Sequence, residues 1–276
     1  MIVLKKIFYL LLLSLIVASC VTTKKNEEVK QSGYKLGELG PEFYLIKDTN
    51  QTTKRKVGLI IFEFSKPVAA IINAKDFQIV YPSGAGKDLI KKSANFTFCE
   101  VRNSRDSVKV KAFALTDMSD FKEENYSTES IKLEYNDGEN KSVSLSDIDK
   151  RFAKDAIVIF PDVSIVSNNK VLFSGYSIRL RTPAKEYLPS GENFRVQMVT
   201  AKGSTLWNSG YGAMFTAALA KVLPENIGDA AKYETIWEGK SNEGFAVETG
   251  LYRMSATVPS IPLPYLTMFE FYWEKK

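Results

Sequence analysis

Over much of its length this chain alternates apolar and polar residues with a period of two, the spacing of a strand whose successive side chains point to opposite faces of a sheet. Ser107-Val108-Lys109-Val110-Lys111-Ala112 sets Val108 and Val110 inward and Lys109 and Lys111 toward water. Residues 76–81 and 131–135 alternate likewise. The first run stops at Pro82-Ser83-Gly84-Ala85-Gly86, the second at Asn136-Asp137-Gly138, where Asp-Gly favours a two-residue hairpin. Lys56-Val57-Gly58-Leu59-Ile60-Ile61-Phe62-Glu63-Phe64 is apolar on both faces and belongs near the centre of a sandwich. With a short helix expected over 145–154, these elements make an all-β N-terminal domain over 35–153.

The second half repeats the pattern, with strands expected at 156–160, 170–174, 177–181, 193–200, 232–238, 250–258 and 266–273. Seven short strands separated by turns indicate an antiparallel sandwich over 154–276. Phe269, Phe271 and Trp273 share one face of the last strand opposite Glu270 and Glu274, and close the core. Residues 221–231, with Pro224, Gly228 and Asp229, are irregular where a regular strand would run. The expected fold class is all-β: two antiparallel β-sandwich domains of roughly 120 residues each.

The N-terminus has a different character. Lys5 and Lys6 precede an apolar run from Ile7 to Ala18, shorter than the roughly 20 residues of a membrane-spanning helix, as in a secretory signal over 1–19. Its end, Val17-Ala18-Ser19-Cys20, resembles the lipobox of bacterial lipoproteins. That resemblance implies cleavage before Cys20, a diacylglycerol on its sulfur, and membrane anchoring in the bacterial cell envelope. Residues 20–34 are polar and charged, and read as a flexible tether.

Composition narrows the chemistry. The chain has no histidine and two cysteines, which excludes Ser-His-Asp and Cys-His relays, His-containing zinc sites and tetrathiolate clusters. Loss of residues 1–19 takes two lysines from 37 basic residues, leaving 35 against 32 acidic ones, a net charge of +3. That balance shows no footprint of nucleic-acid binding. With Cys20 lipidated, Cys99 has no disulfide partner and is expected to be a buried, structural thiol. Ser209-Gly210-Tyr211-Gly212 lacks the lysine of a phosphate-binding loop. Asp117, Asp120, Glu123 and Glu124 lack the spacing and central glycine of a calcium loop. Asp147, Asp149 and Asp155 beside Lys150, Arg151 and Lys154 read as a salt-bridged connector. No catalytic residue, cofactor or metal is expected.

Residues 191–258 carry an ordered series of motifs. Gly191-Glu192-Asn193-Phe194-Arg195-Val196-Gln197-Met198-Val199 leads through a Lys202-Gly203 turn to Leu206-Trp207-Asn208-Ser209 and Met214-Phe215-Thr216-Ala217-Ala218-Leu219. Tyr233-Glu234-Thr235-Ile236-Trp237-Glu238 and Glu248-Thr249-Gly250-Leu251-Tyr252-Arg253-Met254 follow. This order resembles the BsuPI-type intracellular proteinase inhibitor domain, which implies an immunoglobulin-like sandwich and binding to a protease. By that resemblance Trp207, Phe215, Trp237, Gly250 and Tyr252 occupy signature positions. Physically all five read as folding residues: the aromatics as core, Gly250 as a tight lead into the strand bearing Tyr252.

Two loops are candidate contact surfaces. One is Gly210-Tyr211-Gly212. The other holds Pro262, Leu263 and Pro264, where the prolines of 259–264 stiffen the chain toward polyproline conformation. The expected function is a non-catalytic, lipid-anchored envelope protein that binds another protein, in one form a protease. The alternatives are a surface-exposed adhesin or antigen, and a hydrolase working with carboxylates or with a serine and a lysine.

Overall fold

The computed structural model describes residues 33–34, 40–48, 55–72, 77–83, 88–122, 131–135, 139–143, 145–153, 155–167, 169–182 and 185–275. All belong to one compact unit beginning at Gly33. The expected signal sequence over 1–19, Cys20, most of the expected tether, the turns 84–86 and 136–138, Glu123, Glu124 and Lys154 lie outside the described residues.

In chain order the elements are β1 (Gly33–Tyr34), β2 (Glu42–Lys47), β3 (Lys56–Pro67), β4 (Ile71–Ile72), β5 (Gln78–Pro82), β6 (Leu89–Ser93), β7 (Thr97–Arg102), β8 (Ser107–Asp117), β9 (Lys132–Tyr135) and β10 (Glu139–Ser142). Helix α1 (Ile148–Phe152) follows, then β11 (Ile157–Ser167), β12 (Lys170–Arg179), β13 (Arg195–Val199), β14 (Thr205–Asn208), β15 (Ala230–Trp237), β16 (Gly250–Val258) and β17 (Tyr265–Trp273). The four large sheets run β2-β3-β8-β7, β10-β9-β5-β6, β11-β12-β15 and β14-β13-β16-β17. Every pairing within them is antiparallel; the short β1–β4 pair is parallel.

This is the immunoglobulin order twice over. In the first half β2, β3, β8 and β7 are strands A, B, E and D, and β6, β5, β9 and β10 are C′, C, F and G. The second half has the same C′CFG sheet (β14, β13, β16, β17), but its first sheet stops at A, B and E (β11, β12, β15).

Burial stacks the four sheets as layers. Ile60 and Phe62 of β3 enter the core shared with Ile79, Tyr81 and Leu133. Val57, Leu59 and Ile61, which point the opposite way, meet Val158, Phe160, Ile178 and Leu180 of the second half. Ile157, Ile159, Val171 and Phe173 face a third core with Val196, Met198, Met254, Phe271 and Trp273. Where the two middle sheets meet, β3 is therefore dry on both faces, which is why Val57–Phe62 is an unbroken apolar run. Val108 and Val110 point inward and Lys109 outward, as the alternation requires.

Several local readings change. The strands expected at 170–174 and 177–181 are one strand, β12, which runs through Gly175. A Cβ there would lie 2.7 Å from Phe194 Cε2, so the missing side chain makes room for that ring while the strand continues. The strand expected at 156–160 extends to Ser167, and residues 205–208 form β14. Helix α1 is one short turn: Asp147 Oδ1 accepts from Asp149 N at 2.8 Å, and Ala153 at φ 41° ends it. Tyr135 pairs with Glu139 in the β9–β10 register.

Candidate functional site

The connection between β14 and β15, residues 209–229, takes the place of strand D in the second half. Every residue from 211 to 221 is exposed, among them Met214 at 99%, Leu219 at 71% and Phe215 at 43%. Only Lys221 carries a charge in that stretch. Long ordered loops with exposed apolar side chains are unusual and mark binding surfaces more often than spacers.

Backbone hydrogen bonds hold the segment in place. At its start Gly210 N donates to Asn208 Oδ1 at 2.8 Å, Tyr211 N to Asn208 O at 3.0 Å and Ala213 N to Gly210 O at 3.2 Å. Gly212, at φ +71°, takes the left-handed turn that residues with a Cβ avoid. Glu192, itself buried and paired with Arg195, backs this turn: a Cβ on Gly210 would sit 2.8 Å from Glu192 Oε1. Further along, Gly191 N donates to Thr216 O at 2.9 Å, and Ala220 and Leu188 exchange backbone bonds of 3.1 and 2.8 Å.

The tail is anchored in the cores instead, with Val222, Pro224, Ile227 and Gly228 buried. Val222 and Ile227 enter the cores, and Arg55 Nη1 donates to Ile227 O at 3.0 Å. Gly228, at φ +75°, presses on the first half so closely that a Cβ would lie 2.3 Å from Val57 Cγ2. Arg179, wholly buried, donates from Nε to Pro224 O at 2.8 Å and pairs with Glu186, which in turn accepts from the Tyr265 hydroxyl. Burial and the Glu186 bond push the Tyr265 pKa up to about 12. Sequence alone did not single out this buried ion pair. Alternation in Ser177-Ile178-Arg179-Leu180-Arg181 reads as an ordinary strand with a wet face, and the buried setting of Arg179 comes from the 223–226 segment folding over it.

The signature positions divide. Trp237 is buried, with Nε1 donating to Lys240 O at 2.7 Å, and its ring meets Trp273 at 4.9 Å and Trp207 at 6.2 Å. Trp207 is half-buried and stacks on Phe173 at 5.9 Å. Tyr252 packs partly against the same core, and its hydroxyl donates to Glu248 O at 2.7 Å. Phe215 is not core: with no D strand to cover it, it stays on the exposed segment. Gly250 needs no special conformation either; its φ is not in the left-handed region, and a Cβ would make an ordinary 3.6 Å contact with the Tyr252 ring.

The proline loop also differs from its expected form. The Ile261–Pro262 peptide is cis, Tyr187 bridges Ile261, and Ser260 Oγ donates to Leu263 O at 2.6 Å. The segment is thus a closed turn rather than a polyproline stretch, with Pro262, Leu263 and Pro264 all exposed.

Other groups serve the fold. Cys99 is buried and free, its pKa driven up by burial. Asp120 accepts from the Tyr81 hydroxyl at 2.6 Å and pairs with Lys92 at 2.9 Å, and Asp117 lies 3.6 Å from the same ammonium. Asp149 pairs with Arg181. Among the described residues no cluster of three or more His, Cys, Asp or Glu could hold a metal, and no helix is long and apolar enough to cross a membrane.

What the second half therefore presents is an apolar, pre-ordered loop on a rigid sandwich. No protein-family model matches the chain, and no curated protein is significantly similar to it in sequence.

Proposed function

We propose that this chain is a non-catalytic, lipid-anchored protein of the bacterial envelope that binds another protein through residues 211–221, with proteinase inhibition as one form of that binding. The observation that carries the reading is the unbroken exposure of Tyr211 to Lys221 on a backbone pinned at Asn208, Gly191 and Leu188. Such a loop loses little conformational entropy when a partner closes over it. Met214, Phe215 and Leu219 supply apolar surface that folding leaves wet. The resemblance of 191–258 to a proteinase inhibitor domain favours an endopeptidase as the partner, and the lipobox-like end at Cys20 favours anchoring in the envelope.

The test is a crosslinking pull-down from membranes, with the wild-type chain beside a Met214→Ser, Phe215→Ser, Leu219→Ser triple variant and a Cys20→Ala variant. The expected result is a partner recovered by wild type and lost by the triple variant while its unfolding midpoint is unchanged. Cys20→Ala should leave the membrane fraction without unfolding. Equal recovery by the triple variant would remove the loop from the interface.

A further inference from the structure

A groove runs along one side of the stack, where the edge strands of three sheets come together. Two adjoining cavities of about 460 and 510 Å³ make it up. Residues 264–270 of β17 and its approach line it throughout, residues 157–161 of β11 run beside them, and Glu63 and Lys111 stand at the junction of the two cavities.

Among the described residues β17 keeps an open edge over Tyr265–Phe269, while its C-terminal end meets Arg102 of β7, which lies over the Tyr272 ring and pairs with Glu274 at 3.0 Å. Its nine residues pair with β16 without a register break, and its other side pairs with no strand. The other edges are protected by the usual devices against strand addition. β6 carries Lys91 and Lys92; β15 carries Lys232 and Glu234; β10 and β14 are four residues long. β2 is covered by residues 145 and 146, through the Phe43–Leu145 bridge and Ser146 N donating to Phe43 O at 2.7 Å. β11 contains Pro161, and Asp162 Oδ1 accepts from Glu100 N of β7 at 2.9 Å, which ties those two edges together. Over Tyr265–Phe269 no charge, proline or bulge interrupts β17, and Leu266 and Met268 are 57% and 68% exposed.

One cation of the groove is spare. Lys109, Lys111 and Arg151 line it together with Glu63, Asp155 and Glu270, three charges of each sign. Glu63 is shared by Lys111 at 3.2 Å and by Arg151, while Lys109 pairs with no carboxylate among the described residues. Glu270 faces Arg253 across the β16–β17 pair.

We infer that this groove accepts an extended peptide segment of a partner protein as an added strand on β17, with a carboxylate near the middle of the segment meeting Lys109. A row of backbone N–H and C=O groups is satisfied best by another backbone, and about seven residues at roughly 3.3 Å each span the lined length. The site is separate from the 211–221 loop and does not depend on it.

The test uses the full-length chain in detergent and fluorescein-labelled Thr-Val-Thr-Val-Glu-Val-Thr-Val-Thr as probe, with lysine or proline in place of the central glutamate as controls. Binding should slow amide exchange over 264–270. Lys109→Glu should weaken the glutamate peptide about fivefold, the size of an exposed ion pair, and strengthen the lysine peptide. The proline peptide should bind worst. Unchanged exchange over 264–270 with the glutamate peptide in excess, or equal binding of the proline peptide, overturns the inference. So does protection that rises with protein concentration alone, since the edge would then be a seam between two copies.

Discussion

The two halves share one topology and differ in one strand. Between C′ and E the first half spends six residues, Thr97–Arg102, on β7, which pairs with β8 and completes a four-stranded sheet. The second half spends residues 209–229 on no strand at all, and its first sheet ends at β15. The cause is local. Thr97-Phe98-Cys99-Glu100-Val101-Arg102 is compact, aromatic and β-branched, whereas 209–229 holds Gly210, Gly212, Pro224, Gly228 and several alanines with no strand period. The sandwich tolerates the omission because the edge left open is charged. What a D strand would have hidden is exposed instead, and a region of framework becomes available for recognition.

That contrast can be broken in several ways. Trp237→Ala should cost about 3–5 kcal/mol, read by urea unfolding; a small loss would mean that the aromatic cluster of the second half is not its structural centre. Leu59→Ala should cost about 2–5 kcal/mol and carries more information. Leu59 lies in the first half, yet all three tryptophans lie in the second. Because Leu59 sits in the layer shared by both halves, tryptophan fluorescence should shift to the lower midpoint together with far-UV dichroism. Two separate transitions would show that the halves unfold independently.

Gly228→Ala should destabilise by about 1–3 kcal/mol, since it combines a left-handed φ with a clash against Val57. Gly250→Ala, by contrast, should be close to neutral. Asp162 joins the halves and gives a pH-dependent effect. Burial raises its pKa above the unfolded value of about 3.9, so the folded chain holds the proton more tightly, and that contribution is lost as pH rises through the folded value. Asp162→Asn keeps an acceptor for Glu100 N. It should raise the urea midpoint at pH 7 and leave it unchanged near pH 3, and the opposite trend would contradict burial as the cause. Smallest of all, Met214→Ser should leave unfolding unchanged.

Strands with one wet face were legible in the sequence because alternation reports directly which side is dry. The double burial of Val57–Phe62 was legible too, although only the stack shows that its second apolar face meets β11 and β12. The break expected between 174 and 177 is absent, since Gly175 stays in the strand and makes room for the ring of Phe194, which the sequence does not place. Phe215 misled for a related reason: an aromatic residue is core only if some element covers it, and the covering strand is absent here. The proline loop was visible as stiff, but its closure depends on Ser260 and Tyr187.

By itself, then, the sequence determined the all-β class, most strands and their inward faces, the burial of Trp237, and the exclusion of histidine chemistry, all of which follow from residue type and period. The tertiary structure alone decided that the sandwiches share a middle core, that 211–221 stands exposed on a clamped backbone, that Arg179 is buried against Glu186, and that β17 keeps an open edge beside Lys109. Those features depend on which segments meet across the chain, and the local periodicity of either segment carries no information about the other.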